Sequence, residues 1–215
     1  MTIEAKICGL STTETLAAAV AGGAGLVGFN FYPPSPRAVT PSHAAALAGA
    51  VPEGVKKVGL LVDPEDAVLE SILAAVPLDL LQLHGEESPA RVAEIRARFG
   101  LPVMKTLKVA EETDLGAVAP YLEVADRLLF DARAPKDMAG ALPGGNAVVF
   151  DWTLLSGRRW ALPWMLAGGL NAANLAEAVR TSGAAAVDVA SGVEDAPGVK
   201  SVQKIRDFLE VVKTL

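Results

Sequence analysis

The sequence predicts an α/β fold, a single (β/α)8 (TIM) barrel spanning residues 1–215 as one domain. Short runs of leucine and β-branched residues alternate eight times with Ala-, Glu- and Leu-rich segments of helical period. Strict alternation predicts parallel strands joined by helical crossovers. Eight such units in 215 residues favour a closed barrel. An open doubly wound sheet is the alternative, although it commonly has fewer strands at this length.

The elements follow in order along the chain. The predicted strands are Ala5–Cys8, Leu26–Phe29, Lys57–Leu61, Leu80–Leu83, Pro102–Thr106, Arg127–Asp131, Trp164–Ala167 and Ala186–Val189. The predicted helices are Thr12–Ala21, Pro41–Val51, Pro64–Val76, Pro89–Phe99, Thr113–Tyr121, Phe150–Ser156, Ala172–Thr181 and Ser201–Val212.

Capping residues support several of these helices. Ser88 precedes Pro89, which is an N-cap followed by proline in the first turn. Asp63-Pro64 has the same chemistry. Gly100 follows Phe99 where a C-terminal glycine is expected.

Composition excludes several classes of protein. Hydrophobic residues make up 51% of the chain and charged residues 20%, which excludes disorder. Nineteen basic against 25 acidic residues give a formal charge of −6, which argues against a nucleic-acid partner. The single cysteine, Cys8, excludes a disulfide framework or cysteine zinc cluster and suits a reducing cytoplasm.

The mean hydropathy of +0.35 raises the question of a membrane segment. Glycines and prolines interrupt the longest uncharged stretch, Thr15–Pro36, whereas a spanning helix needs about 20 predominantly apolar residues in one element. The first residues include Glu4 and Lys6 before any apolar run, unlike a signal peptide. The sequence therefore predicts a soluble, cytoplasmic protein with no membrane partner.

One motif imitates a cofactor site. Gly23-Ala-Gly25-Leu-Val-Gly28 matches the dinucleotide fingerprint G-x-G-x-x-G. That fingerprint binds a pyrophosphate only where it follows a strand and opens a helix. Here a helix precedes the glycines and a strand follows them, so we expect an ordinary loop and no nicotinamide or flavin cofactor.

Two residues at predicted strand ends can exchange protons. Barrel enzymes carry their chemistry at the carboxyl ends of the strands. Cys8 ends the first strand beside a glycine, and Asp131 ends the sixth. A buried structural thiol is the alternative for Cys8, and a capping carboxylate is the alternative for Asp131.

Paired small residues end the last two strands. Gly168-Gly169 and Ser191-Gly192 leave backbone N–H groups open to an anion. The loops after strands seven and eight of such barrels frequently form a phosphate site. We therefore expect a phosphorylated small-molecule substrate, with simple turn glycines as the alternative.

Arg37 and His84 are further candidates for substrate contact. Arg37 ends a proline-stiffened loop, which suits bidentate binding of a carboxylate, although it could equally be an exposed surface arginine. His84 ends the fourth strand, where a substrate-orienting or structural histidine is favoured over an acid–base group. With only two histidines and no carboxylate cluster at ligand spacing, no metal site is expected.

Six segments together resemble the phosphoribosylanthranilate isomerase family, in order and over nearly the whole chain. They are Lys6-Ile-Cys-Gly9, Gly28-Phe-Asn-Phe-Tyr-Pro-Pro-Ser-Pro-Arg37, Gln82-Leu-His-Gly85, Phe150-Asp-Trp152, Leu166-Ala-Gly-Gly-Leu-Asn171 and Val187-Asp-Val-Ala-Ser-Gly-Val-Glu194. The resemblance implies a barrel enzyme of tryptophan biosynthesis, a monomer or homodimer, that catalyses an Amadori rearrangement without metal or cofactor.

The resemblance also implies roles for the candidate residues. Cys8 would be the general base, Asp131 the general acid and Arg37 the partner of the anthranilate carboxylate. Gly168-Gly169 and Ser191-Gly192 would hold the phosphate, with His84 among the substrate contacts. Strand alternation places Lys6 on the same face as Cys8, where its charge would assist the thiolate.

The chain departs from the family in the loop after the sixth strand. The family usually has a Gly-Gly-(Thr/Ser)-Gly-Lys-like stretch there, whereas this chain has Gly144-Gly145-Asn146-Ala147-Val148. Ala147 lacks the conformational freedom of glycine, and Val148 removes a positive charge. We expect this change to affect loop motion and product release and to leave the chemistry intact. A second, smaller departure is Ala190, where a serine is common.

Two other classes of protein, a related phosphosugar enzyme and a non-catalytic phosphosugar-binding barrel, would share the phosphate loops. Indoleglycerol-phosphate synthase would need a catalytic lysine and carboxylate, and a histidine-pathway isomerase would need two aspartates. A non-catalytic phosphosugar-binding barrel would lack Cys8 or Asp131, and both are present.

Overall fold

Eight parallel strands close into a barrel in sequence order, each hydrogen-bonded to the next and the last to the first. The computed structural model describes residues 2–135, 137–138 and 142–215. The barrel strands are β1 (Glu4–Cys8), β2 (Leu26–Asn30), β3 (Lys56–Leu61), β4 (Leu80–Leu83), β5 (Val103–Val109), β6 (Arg127–Ala132), β7 (Trp164–Leu166) and β8 (Ala186–Val189). The predicted fold class and all eight predicted strands are confirmed.

In the described ranges, six α-helices surround the strands. They are α1 (Thr13–Gly22), α2 (Pro41–Ala48), α3 (Asp66–Ala75), α4 (Pro89–Phe99), α5 (Leu175–Ser182) and α6 (Val202–Lys213). Among the described residues, no helix is long and apolar enough to cross a membrane.

Side-chain alternation along the strands divides the barrel interior into an apolar and a polar part. A buried cluster of alternate strand residues fills the first part: Leu26, Val58, Leu80, Met104, Leu129, Met165, Ala167 and Ala186. Two or more positions further along the strands, the same alternation brings in buried polar groups such as Asn30, Gln82, Thr106 and Asp131. These polar groups lie toward the carboxyl ends of the strands, where the site is built.

The predicted caps of two helices have different outcomes. Ser88 accepts a hydrogen bond from the N–H of Arg91 at 3.2 Å and begins α4, and Gly100 ends it with φ +65°. The Asp63-Pro64 prediction is wrong, because Asp63 adopts φ +45° and accepts a hydrogen bond from the N–H of Glu86 instead. Helix α3 therefore begins later, at Asp66.

The predicted fifth and sixth helices are also wrong. In their place are short 3₁₀ turns at Glu112–Ala117, Ala119–Tyr121 and Trp152–Leu155. Gly116 and Pro120 interrupt the predicted fifth helix, because glycine and proline are the weakest helix formers.

Aromatic rings cover the outer face of β6 where a helix was expected. The Phe130 ring packs edge to face on the rings of Trp160 and Trp164, with centroid distances of 5.2 and 5.5 Å. Phe130 is fully buried as a result. The barrel wall is thus closed by side chains at this point.

A small antiparallel hairpin follows β8. It consists of β9 (Glu194–Ala196) and β10 (Val199–Lys200), in which Lys200 lies opposite Glu194. The hairpin turn packs on the loop after β2, because a Cβ at Gly198 would lie 2.4 Å from the carbonyl oxygen of Pro36. The hairpin therefore connects the end of the barrel to the loop that carries Arg37.

Candidate active site

A pocket lies at the carboxyl ends of the strands, as barrel architecture predicts. It is lined by seven of the eight predicted site residues: Cys8, Arg37, His84, Asp131, Gly168, Gly169 and Ser191. The eighth, Gly192, lies behind the lining. Within the described residues, no group of three His, Cys, Asp or Glu side chains could hold a metal ion.

Cys8 is a buried thiol beside a buried ion pair. The side chain of Lys6 donates to Oδ1 of Asp188 at 2.9 Å, and Lys6 itself is fully buried. Burial raises the pKa of the Cys8 thiol above its ordinary value of 9.0, while the charge of Lys6 works against that rise. Burial alone would lower the pKa of Lys6, but the negative groups beside it raise that pKa overall. Lys6 therefore stays positively charged next to the thiol.

His84 and Asp131 form a second buried pair. Nε2 of His84 lies 3.1 Å from Oδ2 of Asp131. On the other side of the ring, Nε2 of Gln82 lies 3.0 Å and Oγ1 of Thr106 lies 3.2 Å from Nδ1. Because an amide nitrogen only donates, Nδ1 accepts and the proton of a neutral ring is on Nε2. His84 therefore donates to Asp131 and orients its carboxyl group.

Arg37 is buried and ion-paired, which overturns the alternative of an exposed surface arginine. Its Nε and Nη2 donate to the two carboxylate oxygens of Glu194, each at 2.8 Å. Nη2 also donates to the carbonyl oxygen of Gly145 at 3.2 Å. The planar side of the guanidinium that suits bidentate pairing is thus occupied by Glu194, and Nη1 takes no part in that pair.

The glycine loops after β7 and β8 expose backbone donors. Gly168 and Gly169 adopt φ +87° and +62°, a backbone region that glycine occupies readily. A Cβ at Gly192 would lie 1.8 Å from the carbonyl oxygen of Leu170, so the two loops touch through backbone. Within the described residues, none of the N–H groups of Gly168, Gly169, Ser191 and Gly192 has a backbone or side-chain acceptor. These N–H groups are free to bind an anion.

The loop after β6 folds over the pocket. A Cβ at Gly144 would lie 2.4 Å from Nε2 of His84, and one at Gly145 would lie 2.5 Å from Nη1 of Arg37. Only glycine permits so close an approach of the backbone. Ala147 follows with φ +56°, in the left-handed region that is unfavourable for a residue with a Cβ.

A family model described as N-(5'-phosphoribosyl)anthranilate (PRA) isomerase matches residues 5–211. The chain belongs to this family. The N-(5'-phosphoribosyl)anthranilate isomerase of Rhodospirillum centenum is 60% identical over 215 residues, which cover 100% of both chains.

Solved structures of isomerases from this family have the same fold. The phosphoribosyl anthranilate isomerase of Thermotoga maritima has a TM-score of 0.88 and 34% identity, with 99% of this chain and 100% of that chain covered. A phosphoribosyl anthranilate isomerase in complex with reduced 1-(o-carboxyphenylamino)-1-deoxyribulose 5-phosphate has a TM-score of 0.83 and 32% identity, at the same coverage.

Several buried polar residues of this isomerase chain were not assigned roles from sequence. Asp188 and Glu194 lie in a segment that resembles the family, but only the structure shows that each pairs with a cation distant in sequence. Lys200 completes the second of these groups by donating to Glu194. A polar residue within an apolar strand, such as Asp188, is a sequence signal that could have indicated a site residue.

Proposed function

We propose that residues 1–215 act as one catalytic domain that performs the family reaction without a cofactor. N-(5-phosphoribosyl)anthranilate would be converted to 1-(2-carboxyphenylamino)-1-deoxyribulose 5-phosphate, an Amadori rearrangement in tryptophan biosynthesis. The observation that carries this proposal is the meeting of Cys8 and Asp131 in one pocket with Arg37 and two anion-binding loops. A proton donor, a proton acceptor and two anion sites match the needs of a phosphorylated, carboxylated aminoaldose.

The reaction needs one acid and one base. Asp131 gives a proton to the oxygen of the furanose ring, the C1–O bond breaks, and an iminium forms between C1 and the anthranilate nitrogen. The iminium acidifies the proton on C2. The Cys8 thiolate removes that proton, which leaves an enolamine, and tautomerisation of the enolamine gives the ketone.

The protonation states of the pair support a specific resting form. Burial raises the pKa of Cys8, so the thiol prevails near neutral pH. Both oxygens of Asp131 accept hydrogen bonds, Oδ1 from the N–H of Ala132 at 3.0 Å and Oδ2 from His84. The reactive form needs the Cys8 thiolate, so it is a minority of the enzyme near neutral pH.

Two anion sites orient the substrate. The backbone N–H groups after β7 and β8 hold the phosphate, and Nη1 of Arg37 binds the anthranilate carboxylate. Arg37, Gly168, Gly169 and Ser191 line the same pocket as Cys8 and Asp131, so a substrate held at both anion sites lies within reach of the acid and the base. His84 contributes by holding Asp131 toward the sugar.

We also propose that the enzyme works in the cytoplasm as a monomer or homodimer. The unpaired, buried Cys8 supports a reducing compartment. Size-exclusion chromatography with light scattering distinguishes the two assemblies, and a larger assembly would contradict this part of the proposal.

The decisive experiment is turnover of phosphoribosylanthranilate generated in situ, followed by loss of anthranilate fluorescence. The purified chain should consume the compound, and a Cys8→Ala/Asp131→Asn double variant should not. No turnover by the folded wild-type protein would overturn the proposed function.

A further inference from the structure

Arg37, Glu194 and Lys200 form a continuous buried row of charges at the edge of the pocket. Their side chains are exposed by only 5%, 4% and 1%. Glu194 accepts from Arg37 through both oxygens, and Nζ of Lys200 donates to Oε1 of Glu194 at 2.7 Å. Lys200 also donates to the carbonyl oxygen of Ala190 at 2.7 Å. The pairing of Arg37 does not need this third residue, so its presence calls for a separate explanation.

The net charge of these three residues explains the presence of Lys200. Arg37 and Glu194 alone would be a neutral pair, and a neutral pair attracts a substrate carboxylate weakly. Lys200 adds a positive charge, so the row carries one net positive charge. Lys6 and Asp188 nearby cancel each other and do not change this count.

The protonation of Glu194 agrees with the count. Burial alone would raise the pKa of Glu194, but Arg37 and Lys200 lower it overall, so Glu194 is an anion. Burial lowers the pKa of Lys200 from 10.5 overall, although the carboxylate of Glu194 opposes that change. The positive charge of Lys200 therefore follows from its contact, because the 2.7 Å hydrogen bond from Nζ to the Glu194 carboxylate favours the ammonium form.

We propose that Lys200 is a specificity-determining positioning residue that acts through Glu194. Glu194 holds the guanidinium of Arg37 through its Nε and Nη2 and leaves Nη1 outside that pair. Lys200 compensates for the negative charge of Glu194, so that Arg37 keeps an attraction for a substrate that carries an aromatic carboxylate. This inference rests on the proposed function, which assigns the carboxylate to Arg37.

The hairpin β9–β10 is the structural basis of this arrangement. Glu194 and Lys200 lie opposite each other across it, and its turn packs on the loop that ends at Arg37. The stem of Arg37 is held from the other side, since a Cβ at Gly9 would lie 3.0 Å from Cδ of Arg37. The guanidinium is therefore fixed in position, and its net charge environment is set by the hairpin.

The test compares two ligands that differ in one charge. They are the reduced product, 1-(2-carboxyphenylamino)-1-deoxyribitol 5-phosphate, and the same compound with a carboxamide in place of the carboxylate. Calorimetry gives the dissociation constants of both ligands. The carboxylate preference is the dissociation constant of the amide divided by that of the acid. Wild-type enzyme should prefer the acid by at least about tenfold, the scale of one charged hydrogen bond.

Three variants separate charge from structure. Lys200→Met should reduce the preference by about fivefold or more, because the row becomes neutral. Glu194→Gln/Lys200→Met restores one net charge, so its preference should return to within about threefold of wild type. If Lys200 had a purely structural role, the carboxylate preference of the double variant would be as low as that of Lys200→Met or lower. Glu194→Gln alone leaves two net positive charges in the row, so its preference should be at least that of wild type.

Controls keep the outcomes distinct. Inorganic phosphate should inhibit all variants equally, and circular dichroism should show that each is folded. If Lys200→Met does not fold, Lys200→Gln keeps a donor for Ala190 and removes the charge in the same way. An unchanged preference in a folded Lys200 variant would overturn this inference. No preference in wild-type enzyme would instead overturn the assignment of Arg37 to the carboxylate.

Discussion

Nε2 of His84 lies 3.1 Å from Oδ2 of Asp131 and holds the carboxyl group from the side away from the N–H of Ala132. A carboxyl group fixed at both oxygens has one orientation within the pocket. A substitution at Asp131 removes the proton donor, whereas a substitution at His84 removes the contact that orients it.

Asp131→Asn should lower kcat by at least about 10²-fold, the scale of a missing general acid, and leave KM nearly unchanged. Steady-state kinetics measure both. Asp207→Asn, on the exposed face of α6, is the matched control and should leave both constants unchanged. Undiminished kcat in Asp131→Asn would remove Asp131 from the mechanism.

The pH profile of kcat/KM should fall at alkaline pH. The active state needs one proton shared by Cys8 and Asp131, and its loss from the thiol removes the acid. Because burial raises the pKa of Cys8 above 9.0, that loss occurs above pH 9.0. Rates are measured under conditions where added viscogen has no effect, so that chemistry limits the rate.

Cys8→Ser tests the assignment of this limb. An alcohol does not titrate in this range, so the alkaline limb should disappear and kcat should fall by at least about 10²-fold. An identical profile with undiminished activity in the serine variant would show that Cys8 is not the base.

Arg37→Ala should raise KM far more than it lowers kcat, because Arg37 acts away from the reacting carbons. The expected loss is about 1.5–3 kcal/mol of binding free energy, the scale of a charged hydrogen bond. Arg37→Lys should recover only part, since lysine cannot pair with Glu194 through a planar fork. An unchanged KM in the alanine variant would place the carboxylate elsewhere.

Much of the fold follows from local pattern. The eight strands and the six α-helices are predicted by periodicity, because each is encoded by residues close in sequence. The same pattern places Cys8, Asp131 and the glycine loops at strand ends. In a parallel barrel all strand ends meet at one mouth, so their meeting is predictable as well.

The rest depends on tertiary contacts that no local pattern encodes. Arg37 pairs with Glu194, 157 residues away, so the sequence could not show that its planar side is occupied. The aromatic cover of Phe130 likewise replaces a helix by packing from a distant segment. Asp63 has the sequence pattern of an N-cap, but its carboxylate accepts a hydrogen bond from the Glu86 N–H and does not cap a helix.

Ala147→Gly should stabilise the protein. At φ +56° alanine bears a steric cost that glycine avoids, and this outweighs the greater chain entropy of glycine when unfolded. We expect the free energy of unfolding in urea to rise by about 0.5–1 kcal/mol. Ala46→Gly, an exposed position within α2, is the matched control and should lower it by about 0.5–1 kcal/mol. Changes of the same sign at both positions would contradict the argument.

Lys6→Met should lower the free energy of unfolding by about 3–5 kcal/mol, because it leaves the buried Asp188 without its partner. Lys6→Met/Asp188→Asn should lose less, since no buried charge is left unpaired. Lys57→Met offers a control, because the Lys57–Asp79 pair is partly exposed and contributes at most about 1 kcal/mol. Equal losses for Lys6→Met and Lys57→Met would contradict the expectation.

The pair of Lys6 and Asp188 also joins the first strand to the last. The two residues are 182 positions apart, and they lie opposite each other where β1 and β8 close the barrel. During synthesis Lys6 has no partner until nearly the whole chain has been made. The ring of strands closes by a contact of very long sequence separation, which is slow to form. The cation beside the thiol is therefore neutralised only when the barrel is closed, so completion of folding and completion of the active site coincide.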